Sequence, residues 1–122
     1  MKTLCLFLIS FSLIAADAPL KELTYQARKN SSENISIKVL NKLRVNDNCF
    51  ARKNECLTFI NKKIEKTKKE GPFKGNPASS YCISADGDSI ILKDKKNNEY
   101  DYCRFDGNFL IDSWDLYESS KK

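Results

Sequence analysis

The chain has no histidine. That removes the side chain most used as a general acid or base, as the activator of a nucleophile and as a transition-metal ligand. Serines, carboxylates and cysteines remain. Ser79 and Ser80 stand together with no base near them in sequence, so nucleophilic work would need a lysine brought up by the fold. They read more simply as serines on a helix surface. Seven aspartates, Asp86, Asp88, Asp94, Asp101, Asp106, Asp112 and Asp115, crowd the last third of the chain. Paired carboxylates can hydrolyse glycosides. But Asp86-Gly87-Asp88 and Asp106-Gly107 are turn chemistry first, and their spacing is not that of a calcium loop. No catalytic residue, metal ligand or cofactor site is assigned, and no enzymatic activity is expected.

Cysteine is the remaining reactive type. Beyond Cys5 there are four: Cys49, Cys56, Cys82 and Cys103. The N-terminal sequence MKTLCLFLISFSLIAADAPL sets their chemistry. Lys2 precedes an apolar run from Leu4 to Ile14, and Ala15, Ala16 and Ala18 follow. This is the layout of a secretory signal peptide over 1–18, cleaved after 15, 16 or 18. The apolar run falls short of the roughly 20 residues that span a bilayer. An even cysteine count in a short exported chain reads as two disulfides, and four cysteines allow three pairings. Zinc is a weak rival without histidine or a C-x-x-C knuckle. Cys49 and Cys56 are seven residues apart, which is about 10 Å within one helix and too far for a bond. If Cys49 lies in a turn and Cys56 in the first turns of a helix, the chain can fold back and close it. Cys82 and Cys103 fall on a helix and a strand, unlike a reactive C-x-x-C pair. A bond between them would close a loop of about 22 residues and stabilise by roughly 3 kcal/mol.

The elements that must position these residues divide the chain in two. Residues 19–75 hold 14 Lys/Arg against 6 Asp/Glu, and residues 76–122 hold 6 against 9. The first part should attract the second or an anionic surface. In it, Leu20, Leu23 and Ala27 recur at helical spacing, which predicts a helix over 19–29. Asn30-x-x-Glu33 resembles a capping box, and Ile35, Val39 and Leu43 continue a helical stripe. Ile35, Ile37 and Val39 also alternate as a strand would; the continuation to Leu43 favours helix. After a break at Asn46-Asp47-Asn48, a helix over 53–70 carries Cys56, Leu57, Ile60 and Ile64 on one side. Lys62, Lys63, Lys66 and Lys69 lie on the other, and Gly71-Pro72 stops it. Residues 71–75 read as a linker. Asn76 as N-cap and Pro77 as first residue open a short helix over 77–85. Ser89–Lys93, Glu99–Phe105 and Phe109–Leu116 follow as strand candidates separated by turns, with a tail at 118–122. The fold expected is α+β: an N-terminal helical half over 19–70, then a short helix and a three-stranded antiparallel meander, stapled by disulfides. Trp114, Tyr81, Tyr100, Tyr102, Phe105, Phe109 and Tyr117 would form its aromatic core.

Several of these residues stand in a familiar order. Asn76-Pro77-Ala78-Ser79-x-Tyr81-Cys82, the glycine turn at Gly87, an isoleucine-rich strand, Tyr102-Cys103-x-Phe105-x-Gly107 and Trp114-x-Leu116-Tyr117 resemble the small exported bacterial domain labelled hemolysin, domain-of-unknown-function family 333. The resemblance covers about 76–117. There are departures. Asp106 directly follows Phe105, where the family often has a proline. Ile111-Asp112-Ser113 stand where some members carry a further cysteine, and the segment from Gly107 to Trp114 is one residue longer than usual. The resemblance implies an exported domain without settled biochemistry. Residues 76–117 are acidic, short and free of any long apolar stretch, so nothing in them looks lytic.

The function expected is that of a small exported, non-enzymatic envelope or secreted binding module. One alternative is a membrane-active or toxin-like protein that lays Lys62, Lys63, Lys66 and Lys69 on anionic lipid. Another is an inhibitor of a hydrolase, or a divergent hydrolase. An envelope component or an anionic membrane surface is the partner expected, periplasmic or secreted; nucleic acid is not expected for an exported chain.

Overall fold

A computed structural model gives the fold and describes residues 20–67 and 75–121. The segment expected as a signal peptide, 1–18, together with Lys69 and residues 71–74 of the expected linker, lies outside the described residues. Two residues overturn the helical reading of the first half. Asn41 (φ 55°) and Lys42 (φ 69°) both adopt left-handed backbone. That is the geometry of a two-residue hairpin turn whose twist matches its flanking strands. It joins β2 (Ser31–Leu40) to β3 (Leu43–Asn46), with Leu40 paired to Leu43. The helical spacing from Val39 to Leu43 therefore spans a turn between strands. The alternation of Ile35 and Ile37, which are buried, is the real signal. The segment expected as a first helix is β1 (Lys21–Arg28), which pairs with β2 from Lys21↔Ile37 to Arg28↔Ser31. Of its helically spaced apolar residues, Leu23 is buried, while Leu20 and Ala27 are exposed.

The expected fold, an N-terminal helical half beside a three-stranded meander, is thus corrected to a closed antiparallel barrel of six strands. The second half supplies β4 (Asp88–Lys93), β5 (Glu99–Phe105) and β6 (Phe109–Asp112). Around the barrel the order is β1-β2-β3-β6-β5-β4, with β4 returning to β1. Each half is a hairpin-connected run of three strands, and the two runs meet edge to edge at β3–β6 and β1–β4, both antiparallel. A three-stranded sheet alone would leave two unpaired edges; here each half covers the edges of the other.

The helices pack outside. α1 (Asp47–Ala51) and α2 (Lys53–Lys66) follow β3; α3 (Pro77–Ser84) precedes β4; α4 (Ser113–Ser119) follows β6. The strand expected to run to Leu116 stops at Asp112, because the Asp112 carboxylate accepts the Asp115 backbone N–H at 3.0 Å and starts α4. Alternation along the strands produces two cores. Leu23, Ile35, Ile37, Ile90, Leu92, Tyr102 and Leu110 fill the barrel. Leu43, Val45, Cys103, Phe105, Phe109 and Ile111 face outward under Cys56 and Ile60 of α2, Tyr81 and Cys82 of α3, and Leu116 of α4. The aromatic residues expected as one cluster are accordingly divided. Tyr102 is inside the barrel, Phe105 and Phe109 meet Phe59 edge-on, and Tyr117 lies between Tyr81 and Trp114.

Candidate functional site

The cysteines pair as Cys49–Cys56 and Cys82–Cys103. Cys49 sits in α1, Cys56 in the first turns of α2, and Arg52 breaks the helix between them. That break lets the Cα atoms approach to 5.3 Å, where a continuous helix would hold them apart. Cys82–Cys103 staples α3 to β5. Gly87 lies against this bond: a methyl group placed there would sit 2.3 Å from Cys103 Sγ. Two disulfides of this kind are compatible with an oxidising, exported location.

The residues of the Asn-Pro-Ala-Ser stretch act as pins. Asn76 accepts the Ser79 backbone N–H at 3.1 Å and caps α3, Pro77 takes the first helical position, and Ala78 is fully buried. Ser79 is not a free surface serine. Its hydroxyl donates to Ser89 at 2.8 Å, Ser89 donates to the Asp101 carboxylate at 3.0 Å, and Ser113 donates to the same carboxylate at 2.7 Å. The relay ties α3, β4, β5 and α4 together. Tyr81 is buried, which raises its phenol pKa. Gly107 (φ 84°) turns β5 into β6. Trp114 is exposed and meets Tyr117 at 6.2 Å. On α2, Lys63 is 3.6 Å from Asp86, whereas Lys62 and Lys66 are exposed.

Of the seven aspartates, the fold brings Asp112 and Asp115 onto one cation, Arg44 of β3. Arg44 donates through Nε and NH2 to the two oxygens of Asp115 at 2.8 and 2.7 Å, and its Nε lies 3.6 Å from Asp112. The hydrogen bonds from Asp115 push the Arg44 pKa upward. Burial pushes the Asp112 pKa up, and burial does the same to Tyr102, whose hydroxyl has no hydrogen-bond partner among the described residues. Asp112 and Tyr102 belong to a packed interior, whereas Arg44 is partly exposed. Asp112 is 4 % exposed and Tyr102 0 %.

Two residues further along the strands the interior opens. Asn46 marks the place: its Oδ1 accepts Cys49 N–H and Leu110 N–H, both at 3.1 Å, and its Nδ2 donates to Asn108 O at 2.9 Å. One amide thus caps α1 and extends the β3–β6 seam, where backbone pairing is limited to Val45↔Ile111. Above it lies a cleft of about 590 Å³, within the range of small-molecule sites. The first half contributes Tyr25, Glu33, Asn48 and Arg52 to its walls, and the second contributes Arg104 and Asn108. Ile35, Ile90 and Leu110 form its floor. The Arg104 guanidinium stands 5.6 Å over the Tyr25 ring and 3.6 Å from Asp88; that of Arg52 stands 5.2 Å over Phe109 and pairs with Glu55. Sequence reasoning missed these residues. Tyr25 and Glu33 face each other only because β1 pairs with β2, and a helical reading separates them.

Fold and cleft define a small, disulfide-stapled antiparallel barrel with a cleft across the seam between its halves. Residues 74–120 match the family described as Domain of unknown function (DUF333), as the ordered residues from Asn76 to Tyr117 indicate. The match takes in α3, β4, β5, β6 and α4, which includes half of the barrel strands, and the family description names no activity. No curated protein and no solved structure matches the chain.

Proposed function

We propose that the protein is an exported, non-enzymatic binding module of the periplasm or cell surface, or a secreted one, and that it binds through the cleft at the barrel mouth. One observation carries this reading: the cleft lies across the seam and takes its walls from both halves. The buried groups with shifted pKa values, Tyr81, Tyr102 and Asp112, sit in the interior packing and not in the walls of the cleft. That arrangement suits recognition more than proton transfer. Mature oxidised protein, immobilised against an envelope extract, should retain a partner that Glu33→Trp, which fills the cleft from an exposed strand position, fails to retain. Equal retention by both forms refutes the cleft as the binding site. The alternative, docking on anionic lipid, is supported by the exposed Lys62 and Lys66 of α2. Salt-sensitive co-sedimentation with anionic vesicles, lost in Lys62→Glu/Lys66→Glu, would favour it over the cleft.

A further inference from the structure

Within the barrel core, burial is uneven in a patterned way. Leu23, Ile37, Leu92 and Tyr102 are 0–1 % exposed, whereas Ile35 keeps 8 %, Ile90 9 % and Leu110 6 %. The three that retain exposure are the three on the cleft floor. The cleft therefore reaches the apolar interior of the barrel, and a ligand that fills it must present apolar surface there. Its rim has a different character. Arg52 and Arg104 line it, against one carboxylate, Glu33. The existing partners of the two arginines are exposed, with side-chain exposures of 58 % for Glu55 and 73 % for Asp88. Ion pairs of this kind contribute little and exchange readily for a better-placed anion. Tyr25 and Phe109 hold the guanidinium groups by their faces, which leaves the planar donor edges for a two-oxygen acceptor.

Building on the cleft reading above, we infer that the ligand is a small amphiphilic carboxylate. Its head lies between Arg52 and Arg104, and its short apolar tail lies on Ile35, Ile90 and Leu110. An acyl chain and the C-terminus of a peptide ending in an apolar residue share this chemistry.

The test is amide NMR titration of the mature oxidised protein with five probes: hexanoate, N-acetyl-leucine, hexanol, hexylamine and acetate. Hexanoate or N-acetyl-leucine should move the resonances of Arg52, Arg104, Ile35, Ile90 and Leu110 saturably. Hexanol and hexylamine should bind at least about tenfold more weakly, the loss expected when a charge-assisted hydrogen bond is removed. Acetate should also bind at least about tenfold more weakly, because it keeps the carboxylate but lacks the apolar tail. The tighter of the two carboxylates assigns the source. Arg104→Gln should weaken hexanoate about tenfold and leave hexanol unchanged. Glu33→Gln, at an exposed strand position, should strengthen hexanoate and weaken hexylamine. Hexanol or hexylamine binding as tightly as hexanoate at the same resonances overturns the carboxylate assignment while the cleft stands. Neither carboxylate moving those resonances, while Glu33→Trp still abolishes partner retention, also overturns the ligand class alone. Retention that ignores Glu33→Trp removes the cleft itself.

Discussion

Gly87 offers the sharpest test of the packing. Its φ is not in the left-handed region, so alanine would meet no backbone strain there. Glycine-to-alanine at such a position ordinarily stabilises by about 0.4–1 kcal/mol, through the entropy of the unfolded chain. Here the new methyl group would fall 2.3 Å from Cys103 Sγ, 3.0 Å from Cys82 Sγ and 3.0 Å from Phe105 Cε1. The first distance is well inside van der Waals contact, and the sulfur cannot swing away because it is bonded to Cys82. Overpacking against fixed atoms costs about 1–3 kcal/mol, so the sign reverses and Gly87→Ala should lose about 2 kcal/mol. For a domain of this size that corresponds to a fall in Tm of about 8–16 °C. The assay is urea unfolding of the oxidised protein, repeated in a Cys82→Ala/Cys103→Ala background. With both sulfurs gone, the penalty should shrink to within about 0.5 kcal/mol of zero or turn favourable, and that coupling identifies the bond as its cause. If Gly87→Ala is as stable as the parent, or if its penalty survives removal of the sulfurs, the reasoning is refuted.

Asn46→Ala should cost about 2–4 kcal/mol, since it uncaps α1 and strips partners from Leu110 N–H and Asn108 O at the seam; a loss below about 1 kcal/mol in the same unfolding assay would mean the seam does not depend on it. Arg44→Leu should cost about 2–3 kcal/mol, because it leaves Asp112 and Asp115 without their cation, a loss moderated by partial exposure. Asp112 has a folded pKa raised by burial, so the native state holds its proton longer and the residue's contribution to stability falls as pH rises from the ordinary carboxylate range through that raised value. Asp112→Asn keeps the cap and should flatten this decline, read as the stability difference between pH 4 and pH 7; an unchanged slope counts against it. Asp94 behaves oppositely. Its hydrogen bonds with Asn98, Lys96 N–H and Tyr100 OH hold its pKa down to about 2, from 3.8. Its stabilising effect on the β4–β5 turn should be present above about pH 4 and lost toward about pH 2, and carboxyl NMR should place its titration there instead of near 3.8.

The amino-acid sequence alone determined the local features of the second half. Asn76 and Pro77 start α3 because capping and a preset φ act within four residues. The strands after Gly87 are marked by their own turn residues, and the order of residues from Asn76 to Tyr117 carries the family resemblance. The even cysteine count indicated two bridges. What only tertiary structure decided is the state of residues 20–46. Over 35–39 the apolar residues fit both a helical and a strand period, the helical spacing on to Leu43 tips a local reading toward helix, and strands gain stability from partners that such a reading does not contain. Val39 and Leu43 share helical spacing, yet Asn41 and Lys42 bend the chain between them, and β1 and β3 find their outer partners at β4 and β6, 66 to 69 residues away. The cleft follows from that closure. Tyr25, Glu33 and Arg52 meet Arg104 and Asn108 because two half-barrels join at their edges, and edge pairing is a long-range event that no local periodicity encodes.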